Sequence, residues 1–259
     1  MTRTSHTTRS TAATQVHNVA NAKTAQHSKR QSVAADVRCQ VLHSLNRYWQ
    51  IEEFDGSADA VHSELRRLVD EGELEHVRRG IYWRGEKSRF GMSLPRAASA
   101  LRAVVGDKEA IGAAEWYATN LLGLSTQVSP TEVLALSRRP PKGFEHVRVL
   151  SRANRTGRRD RQLKDLEVTI LEALEGWDRY VEARPEAALK TFVELLNRDD
   201  VRVDRLALAA KTEPAVVRER LRAVLREAGY ERHAEKIPRA RSDEARRRAL
   251  KVLSTAADS

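Results

Sequence analysis

The segment 64-ELRRLVDEGELEHVRRGIYW-83 joins the second half of an amphipathic helix to a short basic hairpin. The helix is marked by apolar residues at helical spacing, at Val61, Leu65, Leu68 and Val69. Ser57 stands at the position of an N-cap, and Gly72 can adopt the left-handed conformation that commonly ends a helix. We therefore predict a single helix between Ser57 and Gly72.

A β-hairpin is predicted directly after this helix. Two short stretches with alternating polarity, residues 73–77 and 81–84, flank the tripeptide Arg78-Arg79-Gly80. The side chains on the inner side of the hairpin are expected to be Leu74, Val77, Ile81 and Trp83. Arg78 and Arg79 then lie at its tip.

Another helix precedes these elements. Its apolar face begins at Val33, and the pattern predicts that the helix ends near Tyr48 and Trp49, before a short segment at 50–54 and the turn dipeptide Asp55-Gly56. Helix, short helix, helix and hairpin in this order define a winged helix-turn-helix. In that fold a helix fits the major groove of DNA, and the hairpin reaches the adjacent backbone or minor groove. Arg78 and Arg79 are therefore expected to contact phosphates.

The net charge of +10 favours partners such as phosphate backbones or acidic surfaces. Residues 1–35 contain five basic residues and no acidic residue, and residues 1–30 have so few large apolar side chains that we predict a disordered basic arm. Residues 138–164 contain ten basic residues against two acidic residues. Within them, residues 152–162 are predicted to form a mobile basic loop.

The sequence has no feature of a membrane or secreted protein. No apolar run approaches the roughly 18 residues of a membrane span, and the polar N-terminus lacks the apolar core of a signal peptide. Cys39 is the single cysteine, which fits a reducing compartment, and its apolar helical context predicts a buried structural thiol. We expect a cytoplasmic protein.

Beyond residue 95 the pattern predicts a mixed unit and then a helical region. Helices at 97–105 and 110–121 precede two strands, 132–137 and 145–151, which we expect to pair as a β-hairpin before a helix at 163–177. Three more helices follow, and the last, which runs to Ala228, is expected to carry a salt-bridged solvent face. The predicted fold class is α+β, with a leading winged helix-turn-helix, a mixed α/β middle unit with a β-hairpin, and a helical C-terminal region. The predicted regions are a basic arm (1–30), a winged helix-turn-helix (31–90), an α+β domain (95–178), a helical subdomain (185–238) and a basic, amphipathic or frayed tail (239–259).

Motifs of common enzyme active sites are absent from the sequence. It contains no GxxxxGK[ST], GxGxxG, HExxH, CxxC or GxSxG pattern, and its eight histidines do not cluster at metal-ligand spacing. No catalytic residue, metal or cofactor is expected. The alternative is a metal-dependent nuclease that uses the winged helix for targeting, with candidate residues Glu115, Glu132, Glu145 and Lys142, but no tight carboxylate pair stands on a predicted strand.

Two stretches resemble a known family. The segments "VHSELRRLVDEGELEHVRRGIYW" (61–83) and "AAEWYATNLLGLSTQVSPTEVLALSRRPPKGFEHVRVLSR" (113–152) resemble the AbiEi family of antitoxins from bacterial abortive-infection toxin–antitoxin pairs. The resemblance spans residues 33–174 and is most specific at "NLLGLSTQVS" (120–129). Ser129 stands where the family often has proline, and Pro130 follows one residue later.

The resemblance implies a transcriptional autorepressor that binds inverted repeats in its own promoter and counteracts a cognate toxin with a nucleotidyltransferase fold. The double-stranded DNA would be met by a monomer or a weak dimer. The DNA contacts that it implies are Ser57, His62, Ser63, Arg66 and Arg67 on the recognition helix, with Arg78 and Arg79 on the wing. A further basic set could extend the DNA footprint or dock an acidic toxin surface: Arg138, Arg139, Lys142, Arg152, Arg155, Arg158 and Arg159. A plain transcriptional regulator without a toxin partner is the other alternative.

Overall fold

The computed structural model describes residues 33–93, 95–128, 131–142 and 147–253. The chain forms two compact units, Met1–Pro95 and Arg96–Ser259. The fold is α+β with a helical C-terminal region, as predicted. The predicted basic arm at 1–30 lies outside the described residues, and so do Ser129 and Pro130.

The first unit combines two helices with five short strands. A single 3-10 turn, Ile51–Glu53, lies between the first strand and the second helix. The elements are α1 (33–42), β1 (Arg47–Gln50), α2 (Ala58–Asp70), β2 (Glu75–Arg78), β3 (Ile81–Arg84), β4 (Lys87–Ser88) and β5 (Gly91–Met92). Strands β1, β3 and β2 form an antiparallel sheet in that order, and β4 and β5 form a separate hairpin.

The helix and hairpin predicted from residues 57–84 are confirmed. The hydroxyl of Ser57 accepts a hydrogen bond from the backbone N–H of Ala60, and Gly72 has a φ of 66° directly after the end of α2. Strand β3 is central in the sheet, and its Ile81, Tyr82 and Trp83 are all buried. Tyr82 packs with Trp49 in the core of the unit, whereas Trp83 lies on the opposite face of the sheet, with its ring centroid 4.7 Å from that of Tyr48. The prediction that Ile81 and Trp83 form the inner side of the hairpin is therefore wrong.

Two details of α1 differ from the prediction. The helix ends at residue 42, and Arg47–Gln50 forms β1 instead of continuing the helix. Asn46 has a positive φ of 53°, and the indole of Trp49 donates to the hydroxyl of Ser44 at 3.0 Å, so the chain reverses before the aromatic residues. Cys39 is exposed, 3.6 Å from Nδ1 of His43, and is not a buried thiol.

The second unit contains ten helices among the described residues and one mixed sheet. Its first elements are α3 (Ala97–Val105), β6 (Ile111–Ala113), α4 (Glu115–Leu121), β7 (Glu132–Leu136), β8 (Val147–Ser151), α5 (Thr156–Asp160) and α6 (Asp165–Glu175). They are followed by α7 (Trp177–Tyr180), α8 (Pro185–Leu196), α9 (Val203–Ala209), α10 (Ala215–Glu227), α11 (Glu231–Glu235) and α12 (Asp243–Leu250). None of the helices in the described ranges has the length and apolar composition required to cross a membrane.

The predicted β-hairpin at 131–151 is wrong. Strand β7 pairs with β8 in parallel and with β6 antiparallel, so β7 is the central strand. Parallel strands are covered on both faces and therefore carry continuous apolar runs, here the buried Val133–Leu136 stretch. Helix α6 packs tightly on β6, because a Cβ added at Gly112 would lie 2.6 Å from Cβ of Val168.

The predicted helix at 110–121 is divided into β6 and α4. The sequence there is rich in alanine and favours helix, but pairing of Ile111 with Leu136 draws the first part into the sheet. Ala114 is extended and Glu115 has a φ of 53°, which separates the strand from the helix. Tertiary pairing has overridden local propensity.

One hydrophobic core extends through most of the second unit. It includes Ala110 at the start of the sheet, Leu174 of α6, Phe192 of α8 and Ile237 beyond α11. The segments predicted as a domain at 95–178 and a subdomain at 185–238 share this core.

Helix α10 is wrongly predicted to carry a salt-bridged solvent face. Its Glu219, Arg220 and Arg222 are all buried. The guanidinium of Arg220 donates to the carbonyls of Leu174 and Ala249, at 2.8 and 3.0 Å, near the ends of α6 and α12. Arginine at these positions satisfies helix-end carbonyls that have no partner within their own helix.

The predicted tail is folded for most of its length. Helix α12 is capped by Ser242, whose hydroxyl accepts the N–H of Ala245, and its Ala249 is buried. Residues 254–259 lie outside the described residues.

Candidate nucleic-acid interface

The outer face of α2 is polar and open to solvent. His62, Ser63 and Arg66 are exposed there, beside Asp59 and Asp70. The hydroxyl of Ser63 donates to the carbonyl of Asp59 at 2.7 Å, a bond within the helix that leaves the oxygen available as an acceptor. Arg66 makes no ion pair with a carboxylate of the described residues. This face therefore offers one cation, one imidazole and one hydroxyl to a ligand.

Arg67 differs from its neighbours because it belongs to an ion-pair cluster between α1 and α2. It contacts Glu64 at 2.8 Å and Glu71 at 3.7 Å, and Arg38 of α1 contacts the same two carboxylates. The hydrogen bonds that Arg38 donates to Glu71 and Glu64 raise the pKa of Arg38, and the hydrogen bond from Arg38 lowers the pKa of Glu71. Glu64 is only 3% exposed. Arg67 therefore helps to compensate a buried carboxylate, a role that the alternation of charge along α2 alone does not reveal.

The tip of the β2–β3 hairpin carries two basic side chains. Arg78 is half-buried and Arg79 is exposed, and Gly80 closes the turn with a φ of 78°. Neither arginine forms an ion pair with a carboxylate in the ranges that the structure describes. Both guanidinium groups are thus available to an anionic ligand.

The hairpin tip and the start of α2 lie at the same end of the first unit. Ile81, next to the tip, pairs with Gln50, the last residue of β1. The chain runs from Gln50 through Ile51–Glu53 and reaches Ser57 within seven residues. At the other end of the sheet, β2 begins at Glu75, which pairs with Trp83 and follows shortly after the end of α2. The N-terminal end of α2 and the two arginines therefore can approach one extended ligand from the same side.

A second hairpin, β4–β5, was not recognised from the sequence. It is attached at the end of the sheet away from Arg79, because Lys87 contacts Glu73 at 2.6 Å and the indole of Trp83 donates to the carbonyl of Ser93 at 2.6 Å. Its exposed Arg89 lies over the ring of Phe90, at 4.6 Å from the centroid. The short stretch Lys87–Met92 has a Ser and a Gly as its only sequence signals for a turn.

Two substitutions of Ser57 can distinguish its role as a helix cap from a role in DNA binding. Replacing Ser57 with alanine removes the hydroxyl that accepts the N–H of Ala60, so we expect the free energy of unfolding of the first unit to fall by about 1 kcal/mol. Aspartate caps as well as serine, so Ser57→Asp should retain the stability while its charge repels a phosphate. Urea unfolding and DNA titration of both variants measure the two effects, and equal stability of the alanine variant and the intact protein would contradict the cap.

The second set of predicted contacts, between residues 138 and 159, is divided by the structure. Arg138, Arg139, Lys142 and Arg159 are exposed. Arg155 and Arg158 are 6% and 0% exposed, and Arg152 is half-buried. The predicted mobile loop at 152–162 instead contains α5. Arg155 and Arg158 therefore cannot meet DNA or a toxin at a surface.

Arg152, Arg155 and Arg158 form a largely buried ion network with three glutamates. Arg158 contacts Glu172 at 2.6 Å and Glu213 at 2.7 Å. Arg155 contacts the same two carboxylates at 3.3 Å, and also contacts Glu175 at 2.7 Å. Arg152 completes the network through Glu172 at 2.8 Å. The network joins α5, α6 and the start of α10, and its formal charges cancel.

The network shifts the pKa of its central groups. Burial alone would raise the pKa of Glu172, but hydrogen bonds from Arg152 and Arg158 and their charges outweigh burial and lower it. Burial would likewise lower the pKa of Arg158, and its bonds to Glu213 and Glu172 raise it instead. Glu172 and Arg158 are thus held in their ionised forms.

The lowered pKa of Glu172 predicts a loss of stability in acid. Above the ordinary carboxyl pKa of about 4.3 the full contribution is present. As the pH falls below that value toward the folded pKa, the unfolded state binds the proton first, so the free energy of unfolding decreases. Urea unfolding from pH 7 to 3 should show this decrease, weakened in Glu172→Gln and unchanged in the exposed control Glu194→Gln. An identical pH dependence in Glu172→Gln would contradict the assignment.

Three of the four residues considered for a nuclease lie in the described part of the chain. Glu115 forms an ion pair with Arg148, Glu132 is half-buried at the start of β7, and Lys142 is exposed. Glu145 lies outside the described residues. Within the described parts of the chain, no group of three or more His, Cys, Asp or Glu side chains is arranged to hold a metal ion.

The stretch most specific for the family resemblance is folded around one carboxylate. Glu182 accepts hydrogen bonds from the hydroxyl of Ser125 at 2.8 Å, the backbone N–H of Thr126 at 3.0 Å and the amide of Gln127 at 2.5 Å. Chiefly through the bond from Ser125, these contacts lower the pKa of Glu182. The Ser125-Thr126-Gln127 run thus fixes a loop, while Val128 beside it is 82% exposed.

Comparisons with known proteins find one family model that is similar to part of the chain. Residues 45–152 match the model of a family of unknown function, DUF6088. No curated protein matches the sequence. The crystal structure of the RV2827C protein from Mycobacterium tuberculosis is similar at 14% sequence identity and a TM-score of 0.42, with 81% of each chain covered.

Proposed function

We propose that the first unit is a winged helix-turn-helix that binds double-stranded DNA. Helix α2 would be the recognition helix and the β2–β3 hairpin the wing. The observation that carries this proposal is the common end of the unit at which the start of α2 and the unpaired Arg78 and Arg79 lie. The sheet order β1, β3, β2 and the short turn Ile51–Glu53 before α2 agree with the element order of this fold.

The proposed contacts divide by chemistry. His62, Ser63 and Arg66 on the exposed face of α2 would read base edges in the major groove, where arginine pairs with guanine. Arg78 and Arg79 would bind phosphates and fix the position of the unit on the duplex. Arg67 is removed from the base-reading set, because Glu64 and Glu71 hold its guanidinium.

The biological role that we propose is that of an antitoxin and autorepressor, without catalytic activity or cofactor. It is supported by the resemblance of residues 61–83 and 113–152 to AbiEi antitoxins, including the loop that Glu182 holds. The chain would bind inverted repeats in its own promoter, as a monomer or weak dimer, and counteract a toxin with a nucleotidyltransferase fold. The exposed Arg138, Arg139, Lys142 and Arg159 remain candidates for contact with DNA or the toxin.

The DNA-binding proposal is tested by titration of the intact protein on two duplexes. One carries the sequence upstream of its own reading frame and the other a scrambled sequence of equal composition, each at two salt concentrations. Specific DNA-binding proteins typically prefer their site by 10³-fold or more, so a preference of that order is expected. Equal affinity for both duplexes would overturn the proposed role as a transcriptional regulator.

The antitoxin role is tested separately by co-expression. The adjacent reading frame, induced alone, should arrest growth if it encodes the toxin, and simultaneous expression of this chain should restore growth. A neighbouring gene without toxicity, combined with specific DNA binding, would leave a plain transcriptional regulator and overturn the antitoxin role. Magnesium-dependent nicking of plasmid DNA by the purified chain would instead support the nuclease.

A further inference from the structure

Helix α12 forms a basic surface that is firmly attached to the second unit. Arg246 lies 4.0 Å from the buried carboxylate of Glu219, and Ala249 is buried beneath the helix. The preceding chain is also fixed, because Arg218 donates to the carbonyl of Pro238 at 3.0 Å and Glu219 accepts the N–H of Ala240 at 2.6 Å. The surface is therefore preformed.

The charge on this surface is largely uncompensated. Residues 239–251 contain six basic residues and two acidic residues, and both acids stand in the first turn of α12. Four of the arginines are exposed and form no ion pair with a carboxylate of the described chain: Arg239, Arg241, Arg247 and Arg248. Unpaired guanidinium groups at this density attract an anionic partner.

We propose that this surface, which we call the α12 patch (Arg239, Arg241, Arg247 and Arg248), is a second contact with the phosphate backbone of duplex DNA. The inference rests on the proposed DNA binding and adds a contact from the second unit. The guanidinium group matches phosphate in charge and in bidentate geometry.

The chemistry of the patch favours duplex DNA over other anionic partners. A protein interface has an apolar or aromatic centre, but Ala249 is buried and Val252 and Leu253 pack against the core. Single-stranded nucleic acid is usually bound by stacking on aromatic side chains, and the described residues 239–253 include none. A charged surface without either feature fits a duplex backbone, which is recognised by charge.

The test compares two double variants of the full chain. Arg247→Gln with Arg248→Gln removes two charges from the α12 patch, and Arg184→Gln with Arg232→Gln removes two exposed arginines elsewhere in the same unit. Affinity for the upstream and scrambled duplexes is measured between 50 and 200 mM salt. Loss of two phosphate contacts should make the negative slope of log affinity against log salt less steep by about 1.8 on both duplexes. Over that range the intact protein then loses about 12-fold more affinity than the α12 variant, and the control variant behaves as the intact protein.

The outcomes separate this proposal from the DNA-binding proposal. The proposal for the α12 patch would be overturned if the slope were unchanged in the α12 variant but became less steep on removal of Arg78 and Arg79. The winged-helix proposal would then still stand. Failure of the intact protein to bind either duplex would overturn both. If the α12 variant lost affinity for poly-L-glutamate but not for the duplexes, the partner would be an acidic protein and the proposal would be wrong.

Discussion

Replacing Arg158 with methionine is expected to lower the free energy of unfolding of the second unit by about 3–5 kcal/mol. The side chain is fully buried and bonds to both Glu172 and Glu213. Its removal leaves two buried carboxylates with one compensating charge too few, and burying an unpaired charge is far more costly than losing a surface ion pair. Urea unfolding followed by circular dichroism measures the change, since the second unit contains most of the helices.

The adjacent residue supplies a matched control. Arg159 is exposed and lies 4.0 Å from Asp160, so Arg159→Met should change the free energy of unfolding by less than about 0.5 kcal/mol. The double variant Arg158→Met with Glu213→Gln restores the balance of charge, and it should be more stable than Arg158→Met alone. Equal effects of Arg158→Met and Arg159→Met would contradict the buried network.

The elements that the sequence predicts well are those determined by neighbours along the chain. Helix α2 depends on the Ser57 cap, on an apolar stripe and on Gly72, all within sixteen residues. The β2–β3 hairpin is likewise local, with only Arg79 and Gly80 between its two strands. Local rules apply to these segments because their hydrogen bonds close between residues that are near in sequence.

The burial of Arg155 and Arg158 could not be predicted in this way. Their segment has ten basic and two acidic residues between positions 138 and 164, which suggests an exposed, repulsive surface. The carboxylates that neutralise it, Glu172 and Glu213, lie outside that window, and Glu213 is 55 residues from Arg158. A charge count over a sequence window gives no information about partners that only tertiary folding supplies.

The strand order of the second unit was missed for a similar reason. The chain between β7 and β8 is short and contains two prolines, which suggests a hairpin. The continuous apolar run Val133–Leu136 was the available sequence signal for a central strand with parallel pairing. In the first unit, the carboxylates that hold Arg67 lie on the same helix and at its end, at Glu64 and Glu71, so their spacing in the sequence was the available signal for these ion pairs.

Replacing Arg78 and Arg79 together with alanine is expected to weaken binding to upstream and scrambled duplexes alike. Two phosphate contacts, each worth about 0.7 kcal/mol, correspond to a loss of roughly tenfold in affinity at low salt. The negative slope of log affinity against log salt should become less steep by about 1.8. Phosphates carry no sequence information, so the ratio of the two affinities should not change.

Two comparisons make this result specific to the wing. Arg79→Ala and Arg89→Ala each remove one exposed arginine from a hairpin tip of the first unit, but the hairpin of Arg89 is attached at the opposite end of the sheet. Arg79→Ala should make the slope of log affinity against log salt less steep by about 0.9, and Arg89→Ala should leave it unchanged. Arg66→Ala, on the exposed face of α2, should instead reduce the preference for the upstream duplex by about 1–3 kcal/mol, because it removes a contact with a base edge. If Arg89→Ala were as harmful as Arg79→Ala, the duplex would not lie against the end of the unit where α2 begins, and the winged-helix proposal would fail.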